Sequence, residues 1–370
     1  MKRYFALLLA LCLLLSACGA PKEAEAPTDP VPVETEPVTG PEVTEEPTEA
    51  TEAPTEAPTE PPVIYRHPLT GEVLEAQWTV RPVASTVNNV PAALPQSGIS
   101  KADIFVEIET EGAATRCLAI FGDVSELGAL GSIRSARTYF NSIAVSFDAP
   151  LIHVGASKFA RAAWHDVNGN TISDWEHIDL GSYESYCYRD QDRLYAGYAW
   201  EHTLFSSGEL LTKVLDKQGY TTTDVVYDFG LQFDEDPAIS GETANTVTIT
   251  FPGTKSTTLT YNADTGLYEA AQYGDPWIDA DNGDSVLSFR NIFVLKADRS
   301  RPNGEHSFYE LIGSGEGYFA CDGQIVKILW NRPTLEAPFS YTLEDGTPLT
   351  LGVGTSYIGI VTPSCDPSYS

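Results

Sequence analysis

The segment from residue 19 to residue 62 limits how much of this chain can fold. It contains the near-repeat TEEPTEATEAPTEAPTEPP (residues 44–62) and has no aromatic residue. A segment so rich in Pro and Glu buries too little apolar surface to offset the entropy of ordering it. We therefore expect residues 19–62 to form a disordered acidic linker, held extended by charge repulsion and proline stiffness.

The first eighteen residues have the pattern of a secretory signal that ends in a lipidation site. A Lys-Arg pair precedes an apolar run over residues 4–15, and the sequence Leu-Ser-Ala-Cys ends at Cys18. The run is shorter than the ~20 residues that a membrane-spanning helix needs. We expect residues 1–18 to be a lipoprotein signal peptide, with Cys18 carrying the lipid that anchors the protein on the outer face of the cell membrane.

The charge of the chain restricts its partners. The formal net charge is −30, and the part after residue 62 is strongly acidic on its own. Such a surface repels the phosphates of nucleic acids and of anionic lipids. We therefore exclude nucleic acid, and we expect the partners to be the membrane, through the N-terminal lipid, and a component of the cell wall or envelope.

The cysteines that would remain in the folded part show no metal-binding spacing. They are Cys117, Cys187, Cys321 and Cys365. Two interpretations stay open, namely free buried thiols and a disulfide between Cys321 and Cys365, because pairing cannot be read from spacing alone.

The rest of the chain predicts an α+β protein of two domains, residues 63–232 and 233–370. In the first, strand patterns over residues 103–109, 116–124 and 150–156 alternate with helical patterns, which is typical of a mixed α/β domain. The helical patterns cover residues 134–147 and 206–219. In the second, strand patterns separated by turns such as Asn-Ala-Asp-Thr-Gly predict a mostly antiparallel β domain.

The stretch GALGSIRSARTYF (residues 128–140) contains the candidate binding site. If a helix begins near Ser135, then Arg134 and Arg137 lie in or beside its first turn, where the helix dipole disfavours cations. A bound phosphate or carboxylate would relieve this, because helix N–H groups and guanidinium groups bind anions together. Four more residues could complete such a pocket, namely Arg116, Arg189, Arg193 and His202. The alternative is that the arginines form structural ion pairs with the many carboxylates.

Several motifs occur in an order that resembles one family. The chain is similar to the YerB-like lipoproteins of Gram-positive bacteria in segments that include HPLTGE, LPQSGISKADIFVEI, LGSIRSARTYF, HVGAS, YCYRDQDRLYAGYAWEHTLFSS and the region from DGQIVKILWNRP to YIGIVTP. The resemblance covers residues 63–363. It implies a signal, a lipid anchor, an N-terminal domain and a C-terminal domain.

Three function classes follow. The first is a non-enzymatic envelope lipoprotein that binds a cell-wall polymer, a lipid-linked precursor or an envelope protein. The second is an envelope phosphotransferase or hydrolase, with Asp103, Glu107 and His153 as candidate acids or bases. In its favour, SIRSARTYF is similar to the Ile-Pro-Arg-Asp segment of LytR-CpsA-Psr phosphotransferases, although Ser135 replaces the Asp. The third is an importer's binding protein, which two domains of different class disfavour.

No cofactor or metal motif is evident. Residues 166–174 and 279–284 place oxygen atoms at calcium-like spacing, but both lack the glycine and the closing Glu of an EF-hand loop. Asn-Gly turns explain them better, and the scattered histidines give no pair at metal-ligand spacing.

Overall fold

The computed structural model describes residues 63–165, 175–221, 225–302 and 304–370. Four predictions lie outside these residues, namely the signal peptide, lipidation at Cys18, the linker and the calcium-like segment 166–174. The described residues belong to one compact unit, Pro61–Ser370.

Four α-helices and twenty-eight strands, many of only two residues, make up the described part of the chain. The helices are α1 (Thr138–Ser146), α2 (Lys158–Trp164), α3 (Gln191–Tyr195) and α4 (Gly208–Gln218). The strands up to residue 234 are β1 (Tyr65–Arg66), β2 (Val73–Leu74), β3 (Val83–Asn88), β4 (Ile104–Glu109), β5 (Thr115–Phe121), β6 (Leu130–Gly131), β7 (Leu151–His153), β8 (His177–Asp179), β9 (Tyr188–Arg189), β10 (Leu204–Ser206) and β11 (Gln232–Asp234). The later strands are β12 (Glu242–Thr243), β13 (Thr246–Thr250), β14 (Ser256–Asn262), β15 (Leu267–Gln272), β16 (Asp275–Pro276), β17 (Ile278–Asp279), β18 (Ser285–Val286), β19 (Ser288–Phe289), β20 (Asn291–Lys296), β21 (Arg299–Ser300), β22 (Phe308–Tyr309), β23 (Gly313–Cys321), β24 (Gln324–Arg332), β25 (Ser340–Leu343), β26 (Thr350–Gly352), β27 (Ser356–Val361) and β28 (Ser368–Tyr369).

One large sheet runs through both halves of the chain. Its strands follow the order β12-β24-β23-β20-β27-β4-β5-β3-β7-β8, with β25 paired to β24. The late strand β27 lies between β20 and β4 and is parallel to both. The predicted α+β class is confirmed, since helices and strands alternate before residue 219 and the described later residues form a strand-rich region. The domain boundary at residue 232 stays a prediction, and the sheet extends across it.

The central strand β4 is buried on both faces. Phe105 packs on one face with α4 and with the second sheet, whose order is β16-β15-β14-β13-β28. Ile104, Val106 and Ile108 pack on the other face with α1 and α2. Burial on both faces favours apolar side chains, which explains most of this strand, whereas its two glutamates, Glu107 and Glu109, are buried beside the cations Lys255 and Arg299.

Helix α4 follows its sequence signals closely. Its N-cap residue Ser207 accepts a hydrogen bond from the Leu210 backbone N–H at 3.4 Å. Gly219 ends the helix in the left-handed conformation, with φ of 71°. Both are the caps expected from helix-terminus chemistry.

Helix α1 begins later than the sequence predicts, at Thr138 rather than near Ser135. The preceding residues are extended because their backbone groups pair elsewhere. The Arg134 N–H donates to Thr86 O at 3.1 Å, and the Ala136 N–H donates to Gly155 O at 3.0 Å. These bonds to β3 and to the loop after β7 replace the first helical turn, so Arg137 becomes the N-cap residue.

Arg332 at the end of β24 is fully buried and ties the second half of the chain to α1. Its guanidinium group donates to the Ser142 hydroxyl at 2.8 Å and to the Ser142 carbonyl. It also donates to the carbonyls of Leu311, Leu335 and Ala337. A buried cation is stable only when its donors are satisfied in this way.

The described residues include no helix that is both long and apolar enough to cross a membrane. All four cysteines in this part of the chain are free thiols.

Candidate functional site

Two of the predicted arginines share the carbonyl group of Ser135, and a third lies beside them. Arg116 on β5 donates to Ser135 O at 2.6 Å, and Arg137 donates to the same oxygen at 3.5 Å. Arg134 is close enough to lower the pKa of Arg116 electrostatically. We call Arg116, Arg134 and Arg137 the arginine cluster.

Carboxylates compensate the arginine cluster only in part. Glu111 pairs with Arg137 through both carboxylate oxygens, since Oε2 accepts from Nε at 2.9 Å and from Nη2 at 2.8 Å, and Oε1 accepts from Nε at 3.2 Å. Glu201, which is largely exposed, lies 3.6 Å from Arg134. Arg116 is paired with no carboxylate among the described residues. Burial, together with Arg137 and Arg134, lowers the pKa of Arg116 to about 9, so it is still a cation at neutral pH.

Several donors of the arginine cluster have no acceptor. The Nε atoms of Arg116 and Arg134 are buried and make no hydrogen bond within the described part of the chain. The hydroxyl of Tyr139, in the first turn of α1, is likewise buried and unbonded there. The α1 N-cap has no side-chain hydrogen bond either. Buried donors without partners are rare in native proteins and call for an explanation such as a ligand or a water.

The other predicted residues of the pocket have different surroundings. Arg193 donates to three backbone carbonyls, those of Ala93 at 2.8 Å, His202 at 3.3 Å and Pro95. Its guanidinium group is therefore already hydrogen-bonded to the main chain. His202 Nδ1 accepts a hydrogen bond from the Asn88 side-chain amide nitrogen at 2.9 Å. The pKa of His202 is lowered, mainly by burial. Glu201 opposes this shift, whereas the charges of Arg134 and Arg193 add to it. His202 therefore borders the arginine cluster.

Arg189 is occupied by the segment that follows it. Its Nη1 donates to the Trp200 carbonyl at 2.6 Å, and its guanidinium carbon lies 4.1 Å from the centre of the Trp200 ring. Within the described part of the chain, no hydrogen bond or ion pair joins Arg189 to the arginine cluster. It therefore serves as a matched control in the experiments below.

Asp103 lies far from the arginine cluster. It precedes β4, whereas Arg116 pairs with Ile108, five residues further along that strand. At ~3.3 Å per residue the separation is roughly 17 Å. The Asp103 carboxylate instead accepts the Gly122 N–H at 2.5 Å. Burial raises its pKa to about 6, against the lowering effect of that hydrogen bond.

We expect Asp103→Asn to stabilise the protein at pH 8. A carboxyl whose folded pKa is raised costs stability as pH rises from 3.8 through about 6. The asparagine keeps an oxygen for Gly122 but has no charge to desolvate, so the expected gain is about 1–2 kcal/mol. Urea unfolding of both proteins from pH 4 to pH 8 measures it. A difference that does not change with pH would contradict this explanation.

Glu107 also fails to meet the arginines, because it projects to the opposite face of β4. It is completely buried and accepts hydrogen bonds from five side chains, those of Lys255 and, at 2.5 to 2.9 Å, Asn89, Thr115, Thr257 and Tyr357. Lys255 and Thr257 come from the second half of the chain, as does Tyr357. The arrangement is a structural ion pair between the halves rather than an acid or base open to a substrate.

His153 belongs to a histidine pair that the sequence did not reveal. Its Nδ1 donates to Gly155 O at 2.8 Å, since a carbonyl can only accept. Its Nε2 lies 3.0 Å from Nδ1 of His177, whose ring stacks on Trp164 with centres 3.8 Å apart. Burial lowers the pKa of both histidines. In the neutral pair, His177 Nδ1 donates to His153 and its Nε2 is left as an acceptor.

This histidine pair borders a pocket of about 610 Å³ that also contains Arg161 and Tyr220. His153, Trp164 and His177 are separated by more than ten residues in sequence, so no local spacing could have indicated their contact. In the residues that the structure describes, no hydrogen bond, ion pair or ring contact joins these three side chains to the arginine cluster.

Metal binding finds no support in the part of the chain that the structure describes. It contains no group of three or more His, Cys, Asp or Glu side chains placed to hold an ion. In the calcium-like segment 279–284, Asp279 is fully buried and accepts from the backbone N–H groups of Gly98 at 2.8 Å and Ser100 at 2.7 Å. The carboxylate thus anchors a loop of the first half.

Comparisons with known proteins agree with this architecture. The family model described as "Protein of unknown function (DUF3048) N-terminal domain" matches residues 69–221, and its C-terminal counterpart matches residues 247–358. The "Putative lipoprotein YerB" of Bacillus subtilis (strain 168) is 29% identical over 311 residues, which are 80% of this chain and 85% of that protein. The crystal structure of YerB from Bacillus subtilis superposes with a TM-score of 0.69 at 26% identity, over 82% of this chain and 99% of that chain. The chain therefore belongs to the YerB-like family of lipoproteins, which combine an N-terminal and a C-terminal DUF3048 domain.

Proposed function

We propose that the protein is an envelope lipoprotein, anchored through Cys18 on the outer face of the cell membrane, that binds an anionic group of a cell-wall polymer or a lipid-linked precursor at the arginine cluster. One observation carries the proposal. Arg116 is a buried cation whose Nε has no acceptor in the described part of the chain and which has no paired carboxylate there.

The charge balance supports an anion rather than a neutral ligand. Acidic residues greatly outnumber basic ones in this chain, so an arginine without a carboxylate partner is unusual. Ser135 and Thr138 beside the arginines are partly accessible, which leaves an approach from solvent. A phosphate there would accept from guanidinium groups and from the uncapped first turn of α1.

Binding fits the surroundings better than catalysis does. The candidate acids and bases Asp103, Glu107 and His153 each bond elsewhere, and among the described residues none is hydrogen-bonded to or paired with an arginine of the cluster. Two carboxylates reach the cluster: Glu111 is engaged by Arg137 through both oxygens, and Glu201 lies 3.6 Å from Arg134. A phosphotransferase or hydrolase needs a free base or nucleophile within hydrogen-bond reach of its substrate.

Titration calorimetry with inorganic pyrophosphate tests the proposal on the mature lipidated chain in detergent. We expect binding that weakens as ionic strength rises, because the cluster is partly exposed. Arg134→Gln should weaken it roughly 10-fold or more, since a charge-assisted hydrogen bond contributes about 1.5–3 kcal/mol. Arg189→Gln, which removes an arginine outside the cluster, should leave the affinity unchanged.

Two results would contradict the proposal. One is the absence of pyrophosphate binding at low salt by a protein that melts cooperatively. The other is equal loss of affinity in the Arg134 and Arg189 variants, which would point to a diffuse charge effect. Turnover of the pyrophosphate would instead favour the enzymatic alternative.

A further inference from the structure

A second pocket, of about 220 Å³, lies between the two family-matched regions and is separate from the arginine cluster. One wall is formed by Pro95 and Gln96 of the first half. The other is formed by β15, β16 and the residues next to them. Its lining is mostly apolar and includes Tyr273, Pro276 and Trp277.

Two glutamines line this pocket, and they are bonded very differently. The Gln96 amide is fully used, because its nitrogen donates to Asn88 O at 2.9 Å and its oxygen accepts from Trp277 Nε1 at 2.9 Å. Gln272 is only 4% exposed, and both its amide nitrogen and its amide oxygen have no partner among the described residues.

An unbonded buried amide is costly, because it has lost its hydrogen bonds to water without gaining others. The Gln272 amide carries one acceptor and two donors, and the residue lines the pocket. A ligand with its own secondary amide matches this pair, since the ligand N–H can donate to the Gln272 oxygen while the ligand carbonyl accepts from the Gln272 nitrogen. The apolar walls then suit a small methyl group attached to that carbonyl.

Tyr273 gives the mouth of the pocket an aromatic platform. The residue is 41% exposed, and its hydroxyl donates to the Asn89 carbonyl at 2.8 Å. A fixed, exposed aromatic ring of this kind packs against the apolar face of a pyranose ring. A sugar bearing an amide would thus contact both Tyr273 and Gln272.

We propose that this pocket binds the acetamido group of an N-acetylated amino sugar, with Gln272 bonding the amide and Tyr273 stacking on the ring. A peptide also carries amides, but strand addition at this edge is disfavoured. The edge strand β16 contains Pro276, which has no N–H to donate. The proposal is independent of the arginine cluster and goes beyond the anion site.

Saturation-transfer NMR on the mature chain in detergent tests it, with N-acetylglucosamine, glucosamine, glucose and an N-acetylated alanine methylamide as probes. We expect the strongest transfer to the acetyl methyl protons of N-acetylglucosamine and none to glucose or glucosamine. A signal from the alanine amide equal to that from the acetylated sugar would overturn the choice of a sugar. Absence of any acetyl signal would overturn the site.

Gln272→Leu supplies the decisive variant. Leucine has a similar size but no amide, so binding of N-acetylglucosamine should fall at least tenfold. The melting temperature should stay the same or rise, because an unbonded amide is removed. Gln77→Leu, at an exposed glutamine outside the pocket, is the matched control and should bind normally.

Tyr273→Ala keeps the proposal testable if the leucine variant folds poorly. It leaves the Gln272 amide in place and should weaken the acetylated sugar more than the alanine amide. Unchanged sugar affinity in both variants would overturn the proposal.

Discussion

Glu107→Gln is expected to lower the free energy of unfolding by about 3–5 kcal/mol, the usual cost of leaving one partner of a buried ion pair uncompensated. Glu107 is completely buried against Lys255, and Lys255 is itself only 6% exposed. Glutamine keeps the size of the side chain but leaves the ammonium group without its counter-charge. At ~2–4 °C per kcal/mol, the melting temperature should fall by roughly 10 °C. Urea unfolding followed by tryptophan fluorescence measures both quantities.

A double-mutant cycle separates the ion pair from the general effect of a core substitution. Lys255→Met alone should also destabilise strongly, because it leaves the carboxylate buried and unpaired. The double variant Glu107→Gln, Lys255→Met should lose clearly less than the sum of the two single variants. Additive losses would contradict a direct coupling. Glu209→Gln breaks an exposed ion pair with Lys213 and should leave the melting temperature unchanged.

The Glu107 network also predicts sensitivity to acid. Burial alone would raise the pKa of Glu107, but Lys255, Thr115 and Thr257 lower it below its ordinary value of 4.5. A carboxyl with a lowered folded pKa contributes stability that is complete above the unfolded pKa and is lost as the pH falls through the folded one. The difference in stability between the wild type and Glu107→Gln should therefore shrink below pH 4.5.

Arg332→Met is the second large effect, with an expected loss of about 3–4 kcal/mol, because several buried acceptors lose their donor at once. The acceptors lie in α1 (Ser142), before β23 (Leu311) and after β24 (Leu335 and Ala337). The substitution therefore removes the hydrogen bonds that connect these three segments. Burial lowers the pKa of Arg332 only to about 10, so the native side chain is charged at neutral pH.

Arg332→Lys distinguishes the geometry of the guanidinium from its charge. Lysine keeps the cation but offers three donors from a single atom, so it should recover only part of the lost stability. Arg66→Met, at an exposed arginine with one hydrogen bond to the Gly71 carbonyl, should change the melting temperature little. Full recovery of stability in the lysine variant would contradict the role assigned to the planar guanidinium group.

Local patterns were sufficient for the elements whose stability is local. The apolar run of β4, the alternation in the C-terminal strands and the caps of α4 all follow from neighbouring residues. The start of α1 was wrong by three residues, because the competing hydrogen bonds come from Thr86 and Gly155. Such bonds depend on tertiary contacts that no window of sequence contains.

The candidate site was predictable in part for the same reason. Arg134 and Arg137 stand three residues apart, and the strand pattern placed Arg116 close to them. The sequence could not predict that the Gln272 amide lacks hydrogen-bond partners, because this depends on the residues that surround it in the fold. Likewise, Glu107 meets Tyr357 across 250 positions of chain.

The position of β27 constrains the order in which the protein can be made. A chain synthesised from its N-terminus exposes one edge of β4 until residues 356–361 arrive to fill the gap beside it. Until then the unpaired edge can template contacts with other chains. We therefore expect a chain that stops before residue 356 to aggregate rather than to form a stable first half.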